Sequence, residues 1–374
     1  MREKFSLVIP TYNEAKNIEN LCTKILKILS EHNINFELII VDDDSPDGTW
    51  KIVENLTKEN KAIKLIRRIN EKDLSTAVIR GWGESEGDIL GVIDGDFQHP
   101  PEIIPFMIRK MLEDSEVDIV VASRHGSGGR ISKRNAWRRS VSWLGVLVSA
   151  FFLPEILEKV RDPMSGYFIL RKKVISGKSL DPIGYKVLLE VLAKGTYKKV
   201  IEAPYFFKER EKGSSKAGLR EYLNTSIHIW KLSFHTGEIY RVTKYICVGI
   251  SGALVTLLGY LFGRWLNFGQ AFSYALGLEL AIINNFILNE FWTFSDKSRN
   301  DPMFRSRIMR LFEFNFICIY GFLISFLSFL VSLKIMHLIS IYAALIGVSI
   351  GFIWNFLIGT NVTWLSKIFS KNTN

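Results

Sequence analysis

The stretch Ile89-Leu-Gly-Val-Ile93-Asp94-Gly95-Asp96 reads as an unbroken apolar run ending in two carboxylates one residue apart. Such a run, bounded by charge, predicts a strand buried on both faces. Working back along the chain, Phe5–Ile9 is a similar run that stops at Pro10. Helical spacing follows from about Glu14 to Glu31, carried by Ile18, Leu21, Cys22, Ile25, Leu26 and Leu29. Phe36–Val41 predicts a second strand, closed by the acidic turn Asp42-Asp43-Asp44-Ser45-Pro46-Asp47-Gly48. Trp50–Glu59 predicts a helix, Ala62–Ile66 a third strand and Ser75–Ser85 a third helix. Strand–helix alternation predicts a parallel, doubly wound sheet. Ligands of such sheets bind beyond the carboxyl ends of the strands. Both acidic turns lie there, so they are expected to be neighbours in space.

Two carboxylates at a strand end suit a hard divalent cation, Mg²⁺ or Mn²⁺. Such a cation bridges diphosphate oxygens and offsets the charge of a leaving group. By itself an Asp-x-Asp is as readily a solvated turn. Its position directly after an apolar strand favours the metal.

Downstream, Asp118–Ala122 predicts a fifth strand ending at Ser123-Arg124. A basic segment follows with Arg130, Lys133, Arg134, Arg138 and Arg139, then the apolar, Trp-bearing run Trp143–Leu153. That run is too short to span a bilayer. A basic start with an apolar continuation predicts a helix lying at the membrane interface, near 132–156; a core helix is the alternative. Residues 219–236 repeat the pattern, with Leu223, Ile227, Trp230, Leu232 and Phe234 beside His228 and Lys231.

The composition changes at about residue 240. Of 374 residues 48% are hydrophobic, and the long apolar runs are concentrated in the C-terminal third. Segments near 243–266, 271–294, 312–334 and 339–365 are each long enough to cross a membrane. The division is therefore a domain of residues 1–237 followed by a four-helix transmembrane domain of 238–374. A net charge of +10 suits nucleic acid or an anionic membrane surface. The apolar segments select the membrane, and no nucleic-acid partner is expected. Lys297, Arg299, Arg305, Arg307 and Arg310 crowd the connection between the second and third segments. The positive-inside rule then places that connection and the preceding domain in the cytoplasm, in a multi-pass protein of the cell membrane. Polar residues inside the second segment, Glu279, Asn284, Asn285, Asn289 and Glu290, are expected to find partners on other helices. The three cysteines, Cys22, Cys247 and Cys318, form no disulfide or metal spacing. The opening MREKFSLVIP has too short an apolar run for a signal peptide and reads as the first strand.

Ile9-Pro-Thr-Tyr-Asn-Glu14, Val41-Asp-Asp-Asp-Ser-Pro-Asp47 and Asp94-Gly-Asp-Phe-Gln-His-Pro-Pro101 together resemble the inverting family-2 glycosyltransferases of the A-type, Rossmann-like α/β fold. Lys72-Asp-Leu-Ser-Thr-Ala-Val-Ile-Arg-Gly81 and Arg161-Asp-Pro-Met-Ser-Gly-Tyr-Phe168 narrow the resemblance to dolichyl-phosphate mannose synthases that carry a membrane domain. It spans roughly residues 4–235, and residues 240–366 are similar to GtrA-like four-helix membrane domains. The resemblance implies an inverting transfer of mannose from GDP-mannose to dolichyl phosphate. It implies that Pro10, Tyr12 and Glu14 edge the nucleotide pocket, and that Asp43, with the Val41 backbone beside it, reads the base. Asx turn capping is the alternative for Asp42, Asp43 and Asp44. Asp94, Asp96 and Gln98 are implied for the metal, and with Gly95 they would line the donor. Asp162, Ser165 and Gly166 are implied near the sugar.

Arg124, Arg138 and Ser142 are the candidates for the acceptor phosphate. Arg138 and Ser142 stand four apart on one helix face, and a guanidinium fork matches phosphate oxygens. Arg210, Lys212 and Lys216, in a Gly-Ser-rich loop, are expected to close on the diphosphate; a flexible basic linker is the alternative. Asp94, Asp96 and Arg124 would carry the catalysis by charge neutralisation, since an anionic lipid phosphate needs no strong base. His99, next to Pro100, is expected to be structural.

Two positions depart from the resembled pattern, Asp73 where glycine is frequent and Gly95 where alanine is frequent. No Gln-x-x-Arg-Trp motif is present, which argues against a processive polysaccharide synthase. Two alternatives stay open from sequence: a polyprenyl-phosphate glucosyltransferase using UDP-glucose, and a non-enzymatic transporter of lipid-linked sugar.

Overall fold

The structure is a computed structural model that describes residues 3–124, 130–131, 149, 151–207, 219–299 and 301–365. The chain divides into two compact units, one of Met1–Ser149 with Glu155–Thr236, the other of Ala150–Pro154 with Gly237–Asn374.

The first unit is built on strands β1 (Phe5–Thr11), β2 (Phe36–Asp42), β3 (Ile63–Arg67), β4 (Ile89–Val92) and β5 (Val117–Ser123). Between them lie helices α1 (Ile18–Glu31), α2 (Thr49–Glu59), α3 (Leu74–Gly83) and α4 (Ile104–Glu113). The expected alternation is present. In α1 the buried positions are Ile18, Leu21, Cys22, Ile25 and Leu29, an apolar stripe at helical period. This helix starts at Ile18 rather than near Glu14 because the residues before it bind elsewhere. The Asn13 N–H donates to Ser45 Oγ (2.9 Å), that of Glu14 to Thr49 Oγ1 (3.0 Å) and that of Ala15 to Asp47 Oδ2 (3.0 Å). The loop after β1 is thereby stitched to the acidic turn after β2.

Further on come β6 (Arg130–Ile131), α5 (Pro154–Lys159), β7 (Phe168–Arg171), α6 (Val187–Lys194), β8 (Lys199–Pro204), β9 (Phe206–Phe207) and α7 (Leu219–Thr236). The main sheet has the order β3-β2-β1-β4-β7-β5-β8, and β7 runs antiparallel to both neighbours. The expected all-parallel sheet is therefore corrected to a mixed one. The consequence is functional. A strand running the other way begins where the others end, so β7 brings the loop 161–166 to the edge that carries Asp42, Asp94 and Arg124.

Close backbone approach fixes α3 on the sheet. A Cβ at Gly81 would lie 2.6 Å from Val8 Cγ1. Gly81→Ala is expected to cost about 1–3 kcal/mol through overpacking, read as a lowered midpoint in thermal unfolding of the detergent-solubilised protein.

In α7 the residues Leu223, Ile227, Trp230 and Phe234 are exposed along one stripe, and Trp230 meets Phe234 edge-on at 4.8 Å. Leu232, expected on that stripe, is buried instead with His228, Ile229 and Ser233. The buried face is held by polar contacts. The Ile183 N–H donates to His228 Nδ1 (3.0 Å), and His228 Nε2 lies 3.3 Å from Glu190 Oε2. Burial holds the His228 imidazole below its usual pKa despite Glu190. Most of the other expected interfacial helix, 132–148, lies outside the described residues. Its end, Leu153, is buried, and Phe151 packs on Phe356 at 4.7 Å within the second unit.

Among its described residues the second unit has four helices long and apolar enough to cross a membrane: Glu238–Trp265, Gln270–Thr293, Phe304–Lys334 and Ser340–Trp364. Two of them start before the apolar runs do, because Glu238 and Arg310 are charges paired inside the unit. Arg241 NH1 donates to Glu238 Oε1 (3.0 Å). Glu290 is fully buried and accepts from Arg310 Nε (3.1 Å) and Trp364 Nε1 (3.1 Å). Asn284 Nδ2 donates to Ser251 Oγ (2.9 Å), and Asn315 Nδ2 to Glu279 Oε1 (3.2 Å). Glu279, Asn284 and Glu290 thus join the second span to other helices, as expected of polar groups in an apolar solvent. Asn285, in contrast, bonds Asn284 of its own helix, and the buried Asn289 Oδ1 has no hydrogen-bond partner among the described residues.

Candidate active site

The two acidic turns and the β5 end lie at one edge of the sheet. After β4, Ile93 is followed by Asp94, one-third exposed, and Asp96, buried. Phe97 takes a positive φ of 60°, and the Gln98 N–H donates to Asp96 Oδ1 (3.1 Å), which closes the turn. Gly166 lies against Asp94, where a Cβ would stand 3.1 Å from Oδ2. At Gly95 a Cβ would stand 3.3 Å from Thr11 Cγ2. An alanine therefore fits once that methyl yields a few tenths of an ångström.

His99 is buried and connects two groups. Its Nε2 lies 3.2 Å from Asp94 Oδ2, and its Nδ1 lies 2.9 Å from the Tyr205 hydroxyl. Burial, with Asp162, Asp94 and Asp96 nearby and against the pull of Arg124, raises the Tyr205 hydroxyl pKa above the usual phenol value. That set of neighbours puts Tyr205 among the site charges.

Arg124 meets Asp162 as a fork. Its Nε and Nη2 donate to the two carboxylate oxygens, each at 2.7 Å, and its backbone N–H donates to Oδ2 (3.1 Å). Burial opposes the charge on Arg124, but Asp162 outweighs it and holds the guanidinium above its ordinary pKa. Ser165, expected near the sugar, spends its hydroxyl on the Ala122 carbonyl (2.8 Å) and is buried. It pins the 161–166 loop to β5.

On the other side of the edge, the three aspartates after β2 divide their work. Asp42 accepts from Thr11 Oγ1 (2.8 Å), the Ser45 N–H (2.8 Å) and Ser45 Oγ (2.7 Å), which is Asx turn capping. Asp44 accepts from Arg67 Nε (2.7 Å), and the Arg67 guanidinium stacks 3.6 Å over the Trp50 ring. Asp43 is buried, accepting from Arg68 Nε (2.7 Å) and the Asp73 N–H (3.0 Å). Burial raises the Asp43 pKa in spite of Arg68. Asp73 also caps α3, its Oδ1 accepting the Thr76 N–H (2.9 Å). Its place in the pattern is thus that of a helix cap.

Pro10 and Val41 are buried partners in the β1–β2 register. Lys72 Nζ donates to the Tyr12 hydroxyl (3.1 Å), and Glu14 Oε2 accepts from Asn17 Nδ2 (2.8 Å). Arg138, Ser142, Arg210, Lys212 and Lys216 lie outside the described residues. Sequence reasoning missed Arg68 and Tyr205. Arg68 had a signal: it follows β3, which pairs in parallel with β2 and places Arg67 opposite Asp42. Tyr205 had none, being one aromatic in an aromatic-rich stretch.

Among the described residues no group of three His, Cys, Asp or Glu side chains is arranged to hold a metal. Asp94 and Asp96, with the Gln98 carboxamide two residues on in sequence, are oxygen donors of the kind that suits a cation such as Mg²⁺, which keeps several waters and takes phosphate oxygens. The donor set thus fits the expected group.

Residues 6–177 match the family model described as Glycosyl transferase family 2, and residues 244–364 match GtrA/DPMS, transmembrane domain. A dolichol-phosphate mannosyltransferase from Pyrococcus furiosus is 40% identical over 365 residues, covering 96% of this chain and 99% of that one. The chain belongs to the dolichol-phosphate mannosyltransferases of glycosyltransferase family 2. A Saccharomyces cerevisiae dolichol-phosphate mannosyltransferase is 33% identical, covering 58% of this chain and 82% of that one. An undecaprenyl-phosphate mannosyltransferase from Micrococcus luteus is 30% identical, covering 56% and 85%. This family member is a glycosyltransferase with a mixed-sheet, Rossmann-type domain followed by a helical membrane domain.

Proposed function

We propose that this glycosyltransferase moves mannose from GDP-mannose to dolichyl phosphate with inversion, on the cytoplasmic face of the membrane, with Mg²⁺ or Mn²⁺. The observation that carries the reading is the near-complete overlap, through both domains, with the Pyrococcus furiosus mannosyltransferase. Mannosyl transfer is the term shared by the names of the dolichol- and undecaprenyl-phosphate relatives, so the sugar is the more constrained half of the assignment.

Asp94, Asp96 and Gln98 would hold the cation, which when bound supplies charge neutralisation at the diphosphate. The chain's own residues do the rest. Pro10, Tyr12, Glu14, Val41 and Asp43 would line the base and ribose side. Asp43, oriented by Arg68 and the Asp73 N–H, presents an acceptor suited to guanine N–H groups. Arg124, held by its fork on Asp162, would face the acceptor phosphate. Arg138 and Ser142 join it on sequence grounds, as do Arg210, Lys212 and Lys216 for the diphosphate. The basic connection between the second and third membrane helices supports a cytoplasmic site.

A panel of radiolabelled nucleotide sugars with short polyprenyl phosphates tests the donor. GDP-mannose is expected to be used about 10⁴-fold better than UDP-glucose, because a site that hydrogen-bonds the guanine N–H groups is left with unpaired polar groups by uracil. Transfer from UDP-glucose alone would replace this reading with a polyprenyl-phosphate glucosyltransferase.

A further inference from the structure

We propose that His99 is a positioning residue that presents Asp94 to the divalent cation, and that Tyr205 fixes the imidazole tautomer this requires. The inference rests on the metal-assisted reading above. It begins with hydrogen-bond logic. An ionised carboxylate only accepts, so the contact of His99 Nε2 with Asp94 Oδ2 (3.2 Å) puts the hydrogen on Nε2. In the neutral ring Nδ1 is then an acceptor, and the Tyr205 hydroxyl, 2.9 Å away, supplies the donor. One hydroxyl thereby decides which ring nitrogen points a proton at the carboxylate.

The ring is also held in place. Tyr167 meets it edge-on at 5.2 Å and Tyr205 lies tilted at 5.6 Å. The Tyr167 hydroxyl donates to the Pro100 carbonyl (3.0 Å), which anchors the backbone next to His99. Gly166 walls Asp94, with room for no larger residue unless the carboxylate moves. A carboxylate gripped at one oxygen by a buried N–H and walled by backbone has a fixed rotation. Orientation of this kind by groups behind the ligands typically sets metal affinity by about 10–100-fold. A histidine that merely filled the core would have no such effect.

The test uses the full-length, detergent-solubilised protein without donor or acceptor, and Mn²⁺ as the probe, followed by electron paramagnetic resonance of the free ion. His99→Ala is expected to weaken Mn²⁺ binding about 10–100-fold. His99→Gln keeps an N–H near the position of Nε2 and is expected to restore most of the affinity. Tyr205→Phe, which removes only the hydroxyl, should fall between wild type and His99→Ala. If the alanine variant does not fold, the Gln and Phe variants decide. Wild-type Mn²⁺ affinity in a folded His99→Ala or Tyr205→Phe protein overturns the proposal. A wild-type protein that transfers mannose undiminished in excess chelator overturns the metal reading and this inference together. If wild type binds Mn²⁺, the variants weaken as stated and the donor panel rejects GDP-mannose, the positioning role stands and only the donor assignment falls.

Discussion

Asp96→Ala is expected to lower the rate of sugar transfer by about three orders of magnitude while the protein stays folded. Charge neutralisation by a bound cation is worth several kcal/mol in a transition state, and each 1.36 kcal/mol is a factor of ten in rate. Asp96 is buried, and its Oδ1 also accepts the Gln98 N–H, so part of any loss could come from an opened turn. Asp96→Asn separates the two effects. It keeps an acceptor for Gln98 and removes the charge. Both variants should be comparably inactive, with the asparagine variant closer to wild type in thermal stability. Activity in Asp96→Asn near that of wild type would mean that the carboxylate matters only as a turn cap.

The second large effect is on stability. Asp162→Ala is expected to cost about 3 kcal/mol, because it removes the carboxylate that meets the largely buried Arg124 guanidinium at both oxygens. Arg124 retains 16% side-chain exposure, which puts the loss at the lower end for a broken buried pair. Asp162→Asn keeps one acceptor and should lose about half as much. Denaturant titration measures both. A loss below about 1 kcal/mol for the alanine variant would show that the pair behaves as a surface ion pair. Arg124 would then be placed by something other than Asp162.

Part of the site was legible in the sequence. Strands β1, β2 and β4 announce themselves as apolar runs ending in Pro10, Asp42 and Asp94, so the edge that gathers the acidic turns was readable. β7 was not. It has four residues, and nothing in Phe168–Arg171 tells an antiparallel strand from a parallel one. That one reversal is what delivers Asp162 and Gly166 to the site. The Arg124–Asp162 and Asp43–Arg68 pairs were hidden for a related reason. They join positions 38 and 25 residues apart, and pairing across such distances depends on strand order rather than local pattern. His99, expected to be structural, is buried, and its contacts with Asp94 and Tyr205 give its packing a direction. The membrane spans were legible from apolar length alone. The buried Glu290–Arg310 pair shows why a helix extends past the apolar run.

The central claim is that this edge transfers mannose from GDP-mannose to a lipid phosphate with a divalent cation. The most direct measurement follows label from GDP-[¹⁴C]mannose into the organic phase with dolichyl phosphate as acceptor. It is made with Mn²⁺, with chelator, and with Mn²⁺ restored. The account predicts lipid-linked label that chelation abolishes and added Mn²⁺ recovers. Label that stays in the aqueous phase, or that reaches lipid equally well in excess chelator, would contradict it.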